Sequence, residues 1–223
     1  MEIFEYKFCD VTCGGRMQDY TEGKISERTS LIGNFDGGCE PKNPGGVCTS
    51  AWVLYDGESQ EKLAFEGKIV RDGGKLATNN FAEYCALGLM LKFLVDQNWR
   101  GSLHIYSDSK LVVNQVTENW KMKAESLKPL RKKIWEHLKT LELEVSSPDE
   151  EFECFTCNKK GPLDLLVDME GDGEKLLCPS CHNIVNGFNA PTNCVIEWVR
   201  RENNEEADAI GRAAYQAYKR NKK

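Results

Sequence analysis

The sequence predicts a mixed α/β fold, in which helices flank a sheet and a small insertion precedes the last strand. Three strand-like segments come first, and helical and strand-like segments then alternate. Residues 150–190 interrupt this pattern with paired cysteines and few periodic apolar residues. The order of three strands, a helix, a strand, two helices, an insertion, a strand and a helix is typical of a mixed sheet with helices on its faces. We expect five strands in that sheet.

The first strands show alternating or continuous apolar residues bounded by turn residues. We predict them at residues 31–36, 50–55 and 63–70. Gly37-Gly38 and residues 43–46 are expected to form a turn-rich loop after the first strand. Asp56-Gly57 is expected to join the next two as a hairpin.

Helical spacing begins near Asn80, where apolar residues recur at Ala82, Ala86, Leu89 and Phe93. We predict a strand at 103–107, a short helix at 111–120 and a long basic helix at 124–141. After the insertion we predict a strand at 195–199 and a terminal helix at 205–219.

Composition bounds the functions that this chain can have. The 223 residues are 40% hydrophobic, enough for a full core. A net charge of -6 argues against binding nucleic acid through bulk positive charge, so any such contact needs a local basic surface. No apolar run approaches the ~20 residues of a membrane span, and the first twenty residues do not resemble a secretion signal. We expect a cytoplasmic, monomeric protein.

The ten cysteines are expected to be reduced thiols or metal ligands. Cys154-x₂-Cys157 and Cys178-x₂-Cys181, separated by twenty residues, have the spacing of a zinc ribbon that holds one structural Zn²⁺. Four further cysteines are expected to be packing residues; these are Cys39, Cys48, Cys85 and Cys194.

The chain is expected to divide into three parts. Residues 1–28 form an extension of unknown role, residues 29–149 and 191–223 form one domain, and residues 150–190 form the zinc ribbon. The insertion contains eight acidic and three basic residues, which disfavours independent binding of nucleic acid. It could be a rigid clip, a site for a protein partner, or an arm that orients the substrate through Lys159 and Lys160.

Four carboxylates lie at predicted strand ends or helix starts, namely Asp36, Glu83, Asp108 and Asp208. Each has a structural alternative: a turn before Gly37-Gly38, an Asn80-x-x-Glu83 capping box, an N-cap at Asp108, and a solvated acidic turn around Asp208. Strand ends and helix starts converge on one edge of a sheet, where four carboxylates repel unless cations neutralise them. Mg²⁺ prefers such oxygen ligands, and two ions ~3.5–4 Å apart can catalyse phosphodiester hydrolysis.

Four segments resemble, in order, the motifs of type 1 ribonucleases H. They are residues 36–46 (DGGCEPKNPGG), 78–84 (TNNFAEY), 106–109 (YSDS) and 204–209 (NEEADA). The resemblance covers about residues 30–147 and 193–218. It implies a ribonuclease H-like fold and an endonuclease that hydrolyses the RNA strand of RNA/DNA hybrids, leaving 5′-phosphate and 3′-hydroxyl ends.

The resemblance also implies a role for each carboxylate. Asp36 would bridge two Mg²⁺ or Mn²⁺ ions, Asp208 would complete the site of the ion that activates water, and Glu83 with Asp108 would hold the other ion. Many family members carry a mobile histidine before the last aspartate, but residues 200–203 (RREN) occupy that region here. The chain resembles the short, histidine-free branch in this respect.

Substrate contacts are implied for a further set of residues. Asn43, Asn79 and Asn80 match positions that contact the substrate backbone, including ribose 2′-hydroxyls, and Thr78 matches one that holds a DNA phosphate. Trp120 matches a position where an indole packs on a DNA sugar, although a core tryptophan is an equal alternative.

A basic stretch follows Trp120. Its cationic residues are Lys121, Lys123, Lys128, Arg131, Lys132, Lys133 and Lys139, against only Glu125 and Glu136. It is either a solvated helix face or a ridge that follows the phosphates of a nucleic acid, and the motifs favour the second interpretation.

Two other functional classes stay open. One is a binding protein that keeps the fold, has idle carboxylates and recruits a protein partner through the zinc ribbon. The other is a different nuclease on the same fold.

Overall fold

The structure is a computed structural model that describes residues 25–146 and 193–222, together with four short strand segments between them. Predictions for the N-terminal extension up to residue 24, and for Cys154, Cys157, Cys178 and Cys181, lie outside the described residues.

Six strands form the main sheet. They are β1 (Ser30–Glu40), β2 (Val47–Asp56), β3 (Lys62–Asp72), β4 (Ser102–Ser107), β5 (Glu144–Ser146) and β10 (Asn193–Trp198). The helices of the described residues are α1 (Asn79–Asp96), α2 (Lys110–Val116), α3 (Lys128–Thr140) and α4 (Glu205–Asn221). The fold class predicted from the sequence is therefore confirmed.

The strand order in this sheet is β3-β2-β1-β4-β10-β5. The first three strands pair antiparallel, whereas β4, β10 and β5 join in parallel. The prediction of five strands is wrong by one. The sixth strand, β5, has only three residues and pairs with the start of β10, and such a short segment shows no readable alternation in the sequence.

The described core lies between the sheet and α1, while α4 covers the opposite face. Twelve of the eighteen residues of α1 are buried, so this helix is apolar around most of its circumference, as a helix packed on both sides must be. The four cysteines expected to pack are all buried, which confirms that prediction; they are Cys39, Cys48, Cys85 and Cys194.

Strand β1 runs through Gly37 and Gly38, so the predicted turn at these glycines is wrong. A Cβ atom at Gly37 would lie 2.2 Å from the backbone nitrogen of Glu83. Glycine is therefore required because the first turns of α1 rest directly on the strand. Asp36 consequently lies inside β1 rather than at its end, one residue before this contact.

The helix caps also differ from the prediction. The Thr78 side chain caps α1 by accepting a hydrogen bond from the Phe81 N–H (3.1 Å), and the Ser109 side chain caps α2 by accepting one from the Val112 N–H (3.4 Å). The capping box through Glu83 and the N-cap at Asp108 are therefore wrong. The carboxylates of Glu83 and Asp108 are therefore not used as helix caps.

The middle helices are shorter than predicted. Helix α2 ends at Val116, and Glu118 then has a positive φ of 64° that leaves the helical region. Residues Glu125–Leu127 form a 3₁₀ turn before α3, whose first turn contains Pro129. Proline is favoured at that position because its missing N–H has no helical partner there.

Four short strands are described between β5 and β10. Strand β6 (Glu151–Glu153) pairs antiparallel with β7 (Lys160–Pro162), and β8 (Val167–Asp168) pairs antiparallel with β9 (Leu176–Leu177). Among the described residues, no helix is both long and apolar enough to cross a membrane.

Candidate active site

The structure brings the four predicted carboxylates together. Asp36 from β1, Glu83 from α1, Asp108 after β4 and Asp208 from α4 line one cleft of about 200 Å³. We call this the acidic cleft. Residues distant in sequence meet here because β1 and β4 are neighbours in the sheet and α1 and α4 cover its two faces.

Asp36 lies at the centre of the acidic cleft. Its pKa is raised to about 6. Burial is the largest cause, and the charges of Asp108 and Asp208 act in the same direction. The Gly37 N–H donates to this carboxylate and the Arg201 guanidinium attracts it, but both effects are smaller. The ionised form of the Asp36 carboxylate is therefore destabilised at this position.

Glu83 is in a similar environment. Burial raises its pKa to about 7, and Asp36 and Asp108 act in the same direction. The Ser109 hydroxyl donates a hydrogen bond to Glu83 Oε2 at 2.6 Å and opposes this shift. Within the described residues, neither Glu83 nor Asp36 has a cationic side chain within 4 Å, so burial favours the protonated form of each more than it would in an exposed carboxyl group.

Asp108 is held by Asn204, which begins the motif at residues 204–209 but was not among the predicted site residues. The Asn204 amide is 2% exposed and donates to Asp108 Oδ1 (2.8 Å) and to the Phe35 carbonyl (2.9 Å). Its oxygen accepts from the Asn34 amide at 3.2 Å. Asn204 thereby fixes Asp108 to β1 and to the start of α4. Its place just before a helix would have suggested only a cap.

Asp208 has two arginine partners. The Arg201 guanidinium lies 3.2 Å from Oδ1, and the Arg212 guanidinium pairs with Oδ2. Arg212 could have been found from its i, i+4 spacing to Asp208 on a helix. The contact with Arg201 could not, because it depends on the fold of the preceding loop. In this arrangement, cations of the chain itself neutralise one carboxylate of the acidic cleft.

The donor set of the acidic cleft fits hard divalent cations, because all four groups are carboxylates and two of them are half-buried without an ion pair to any described residue. As the side chains stand, however, no three His, Cys, Asp or Glu residues within the described ranges are grouped to hold a metal ion. Three of the four carboxylates contact other side chains: Glu83 accepts from Ser109, Asp108 from Asn204, and Asp208 from arginines. Coordination would require Asp208 to turn away from the guanidinium groups.

The predicted substrate residues lie beside the acidic cleft. Asn43 Oδ1 accepts a hydrogen bond from the Asn79 backbone N–H at 3.3 Å, which joins the loop after β1 to the start of α1. Asn79 itself lines the acidic cleft. Thr78 caps the same helix, and Asn80 is half-buried in its first turn.

The predicted basic residues lie along α3 and the segment before it. We call them the basic surface; they are Lys121, Lys123, Lys128, Arg131, Lys132, Lys133 and Lys139. Three of them pair with carboxylates: Lys128 with Glu125, Arg131 with Glu118 and Lys133 with Glu136. Trp120 is 48% exposed, so the alternative of a core tryptophan is wrong. An open groove beside it contains Lys121, Lys132 and Trp135.

The two described histidines do not line the acidic cleft. His104 Nε2 lies 3.0 Å from Glu197 Oε2 on the sheet, and His137 is buried on α3. The region where related enzymes were expected to carry a histidine holds Arg201, which lines the cleft.

A known family model matches the part of the chain that contains three of the four carboxylates. The family model described as reverse transcriptase-like matches residues 34–146, which is half of the chain. The chain belongs to the reverse transcriptase-like family. The matched segment contains Asp36, Glu83 and Asp108, while Asp208 lies beyond it.

Solved structures show the same fold. Ribonuclease H1 of Halobacterium salinarum superposes with a TM-score of 0.55 at 21% identity, over 84% of this chain and 98% of that one. The N-terminal ribonuclease H domain of rv2228c from Mycobacterium tuberculosis gives 0.58 at 19% identity, over 87% and 99%. LC11-RNase H1, isolated from compost, was solved with an RNA/DNA hybrid and gives 0.51 at 20% identity, over 81% and 92%. The chain therefore has the ribonuclease H fold.

Proposed function

We propose that this protein is a ribonuclease H that hydrolyses the RNA strand of RNA/DNA hybrids and leaves 5′-phosphate and 3′-hydroxyl ends. The observation that carries this proposal is the convergence of four carboxylates from four separate segments on one cleft. Like charges in that number are costly to hold together unless a ligand needs them. The ribonuclease H fold, and a neighbour of that fold solved with a hybrid, support the choice of substrate.

In this proposal the acidic cleft holds two Mg²⁺ or Mn²⁺ ions through Asp36, Glu83, Asp108 and Asp208. Divalent ions bound there would activate a water and stabilise the leaving oxygen of the phosphodiester. Asp36, on which the charges of both Asp108 and Asp208 act, would contribute to both ions.

Residues that contact these carboxylates hold them in position. Ser109 orients Glu83 through its 2.6 Å hydrogen bond, and Asn204 orients Asp108 through its 2.8 Å hydrogen bond. Both donors are neutral, so they fix the carboxylates without cancelling the charge that a cation needs. Arg201 and Arg212 neutralise Asp208 until it is required as a ligand.

The hybrid would lie across the acidic cleft and the basic surface. We propose that Asn43, Asn79 and Asn80 contact the RNA backbone and its 2′-hydroxyls, which distinguish RNA from DNA. Thr78, Trp120, Lys121 and Lys123 would contact the DNA strand. Their exposure or position at the cleft supports these assignments.

We also propose that residues 150–190 form a zinc ribbon inserted between 29–149 and 191–223 of the catalytic domain. Cys154, Cys157, Cys178 and Cys181 would bind one structural Zn²⁺. The strand pair β6–β7 supports this, because its strands precede and follow the first cysteine pair in the sequence, and β9 immediately precedes Cys178.

A binding protein with idle carboxylates is the second candidate. It is favoured by the ion pairs that Asp208 forms with two arginines. It is also favoured because, among the described residues, no three His, Cys, Asp or Glu side chains are grouped to hold a metal ion. It is disfavoured by the buried carboxylates Asp36 and Glu83, since a protein released from catalysis has no reason to keep them together.

A cleavage assay separates the candidates. The protein is incubated with end-labelled RNA/DNA hybrid, double-stranded RNA and double-stranded DNA, with Mg²⁺ or with EDTA. A ribonuclease H cuts only the RNA of the hybrid, and only with the metal. Cleavage of duplex DNA would indicate another nuclease, and hybrid binding without cleavage would indicate the idle binding protein.

A further inference from the structure

We propose that Lys110, seated on the ring of Trp198, binds a phosphate of the RNA strand close to the one that is cleaved. This inference rests on the proposed function and adds a binding residue to it. Neither residue lines the acidic cleft, and neither stood out in the sequence.

Trp198 ties this pair to the proposed active site. It is the last residue of β10, and its indole N–H donates a hydrogen bond to the Asp108 carbonyl at 3.1 Å. Its ring is nevertheless 37% exposed. The indole is therefore anchored by its polar edge while part of its apolar face stays at the surface, directly beside a proposed metal ligand.

Lys110 covers that face. Its Nζ lies 4.1 Å from the centre of the Trp198 ring, which is within the range of a cation–π contact. The lysine is exposed, and within the described part of the chain it has no carboxylate within 4 Å. The ring restricts the long side chain, but it leaves the ammonium donors able to bind an anion.

The strand order indicates how far Lys110 and Trp198 lie from the acidic cleft. The order β1-β4-β10 puts Trp198 one strand beyond Asp108 and two strands beyond Asp36. Neighbouring strands are ~4.8 Å apart, so the strand that holds Trp198 lies about 10 Å from the strand that holds Asp36. A nucleic-acid strand carries one phosphate per ~3.4 Å of helix axis. Lys110 would thus meet a phosphate about one to three nucleotides from the cleaved bond.

The position of Lys110 favours the RNA strand as the ligand. In the proposed function the cleaved phosphodiester belongs to the RNA strand and lies at the acidic cleft, and Trp198 joins Lys110 to the Asp108 carbonyl beside that cleft. A cation beside the acidic cleft would hold the RNA strand in register without filling the metal site.

The test uses Lys110→Met, which keeps the stem of the side chain and removes its charge. Lys92→Met is the matched control, because Lys92 pairs with Asp96 at the far end of α1. Hybrid cleavage is measured for the parent and both variants between 50 and about 200 mM salt, with a substrate that is cut at one position. We expect Lys110→Met to raise KM about two- to fivefold, the effect of one exposed ion pair. The slope of log KM against log salt should fall by about 0.9, while the control matches the parent.

Single methylphosphonates in the RNA strand then locate the contact. Neutralising the phosphate that Lys110 binds should raise KM for the parent but not for Lys110→Met. If the variant has the KM and salt slope of the parent, or if every methylphosphonate penalty persists in it, the inference is wrong.

Failure of the proposed function would look different, since the parent would then not cut the hybrid at all. Fluorescence anisotropy of the hybrid in Ca²⁺ would still test Lys110. A loss of salt slope in Lys110→Met supports the contact, and an unchanged slope overturns it.

Discussion

The acidic cleft and the basic surface are both charged, but they are built in opposite ways. The acidic cleft assembles side chains that are as much as 172 positions apart in the sequence (208 less 36), and it keeps Asp36 and Glu83 largely out of solvent. The basic surface comes from one continuous stretch, residues 121–139, whose cations lie mostly in solvent. The cleft therefore depends on the tertiary fold, whereas the surface depends on local sequence.

This difference predicts how each region responds to substitution. Buried like charges interact strongly, so removing one member of the acidic cleft should change activity or stability abruptly. Exposed cations are screened by salt and act additively, so each substitution on the basic surface should have a small, graded effect. The following experiments test the contrast, from the largest expected effect to the smallest.

Asp108→Asn should have the largest effect. It preserves the shape of the side chain and an oxygen that can accept from Asn204, but it removes a proposed ligand charge. We expect hybrid cleavage to fall by about 10³-fold or more, with the melting temperature and hybrid binding nearly unchanged. Asp96→Asn, at the exposed end of α1, is the control and should cleave normally. Parental activity in Asp108→Asn would show that the cleft is not the active site.

Glu83→Gln should stabilise the metal-free protein at alkaline pH. In the folded protein the pKa of Glu83 is about 7, above the ordinary value of 4.5. The folded state therefore binds this proton more tightly than the unfolded state does, and the free energy of unfolding falls as the pH rises through about 7. In EDTA at pH 8 we expect the variant to exceed the parent by about 2 kcal/mol in urea unfolding. The gap should close below pH 5. A parent that is as stable as the variant at pH 8 would contradict the burial of an unpaired charge.

The double variant Lys128→Met, Lys132→Met should weaken hybrid binding moderately. These residues share the face of α3 that borders the groove with Trp135. We expect the slope of log Kd against log salt to fall by about 1.8, at ~0.9 for each lost phosphate contact. Lys133→Met is the control, because Lys133 pairs with Glu136 and does not border that groove. Equal losses in both proteins would mean that the surface acts only through its total charge.

Cys154→Ser combined with Cys178→Ser should have the smallest effect on cleavage. Elemental analysis is expected to find one zinc per chain in the parent and none in this variant. Because the acidic cleft and the basic surface are formed by other residues, we expect hybrid cleavage to change by no more than about threefold. A parent without zinc would refute the zinc ribbon.

Much of the fold could be predicted because its signals are local. The helical spacing around Ala82 and the order of strands and helices follow from apolar periodicity. The length of β1 could not be predicted, because Gly37 usually marks a turn and here serves the approach of α1. Likewise Thr78 and Ser109 cap their helices beside residues, Asn80 and Asp108, that could have done the same.

The carboxylates of the candidate site could be predicted from the sequence, but the side chains that contact them could not. Four motifs in order resembled a family, so the four acids could be named together. Asn204, Arg201 and Arg212 act through contacts across the fold, and their residue types suggest only a cap and solvated charges. The contact between Lys110 and Trp198 could not be predicted either, because it forms only when β10 lies next to β4.

The most direct measurement is anomalous scattering from crystals grown with Mn²⁺ and a hybrid that carries 2′-deoxy residues at its cleavage site. We predict two manganese peaks in the acidic cleft, about 4 Å apart, with Asp36 bound to both and Asp208 turned away from Arg201. A cleft without manganese while the hybrid is bound, or manganese held by other residues, would contradict the proposal that these four carboxylates form a two-metal site.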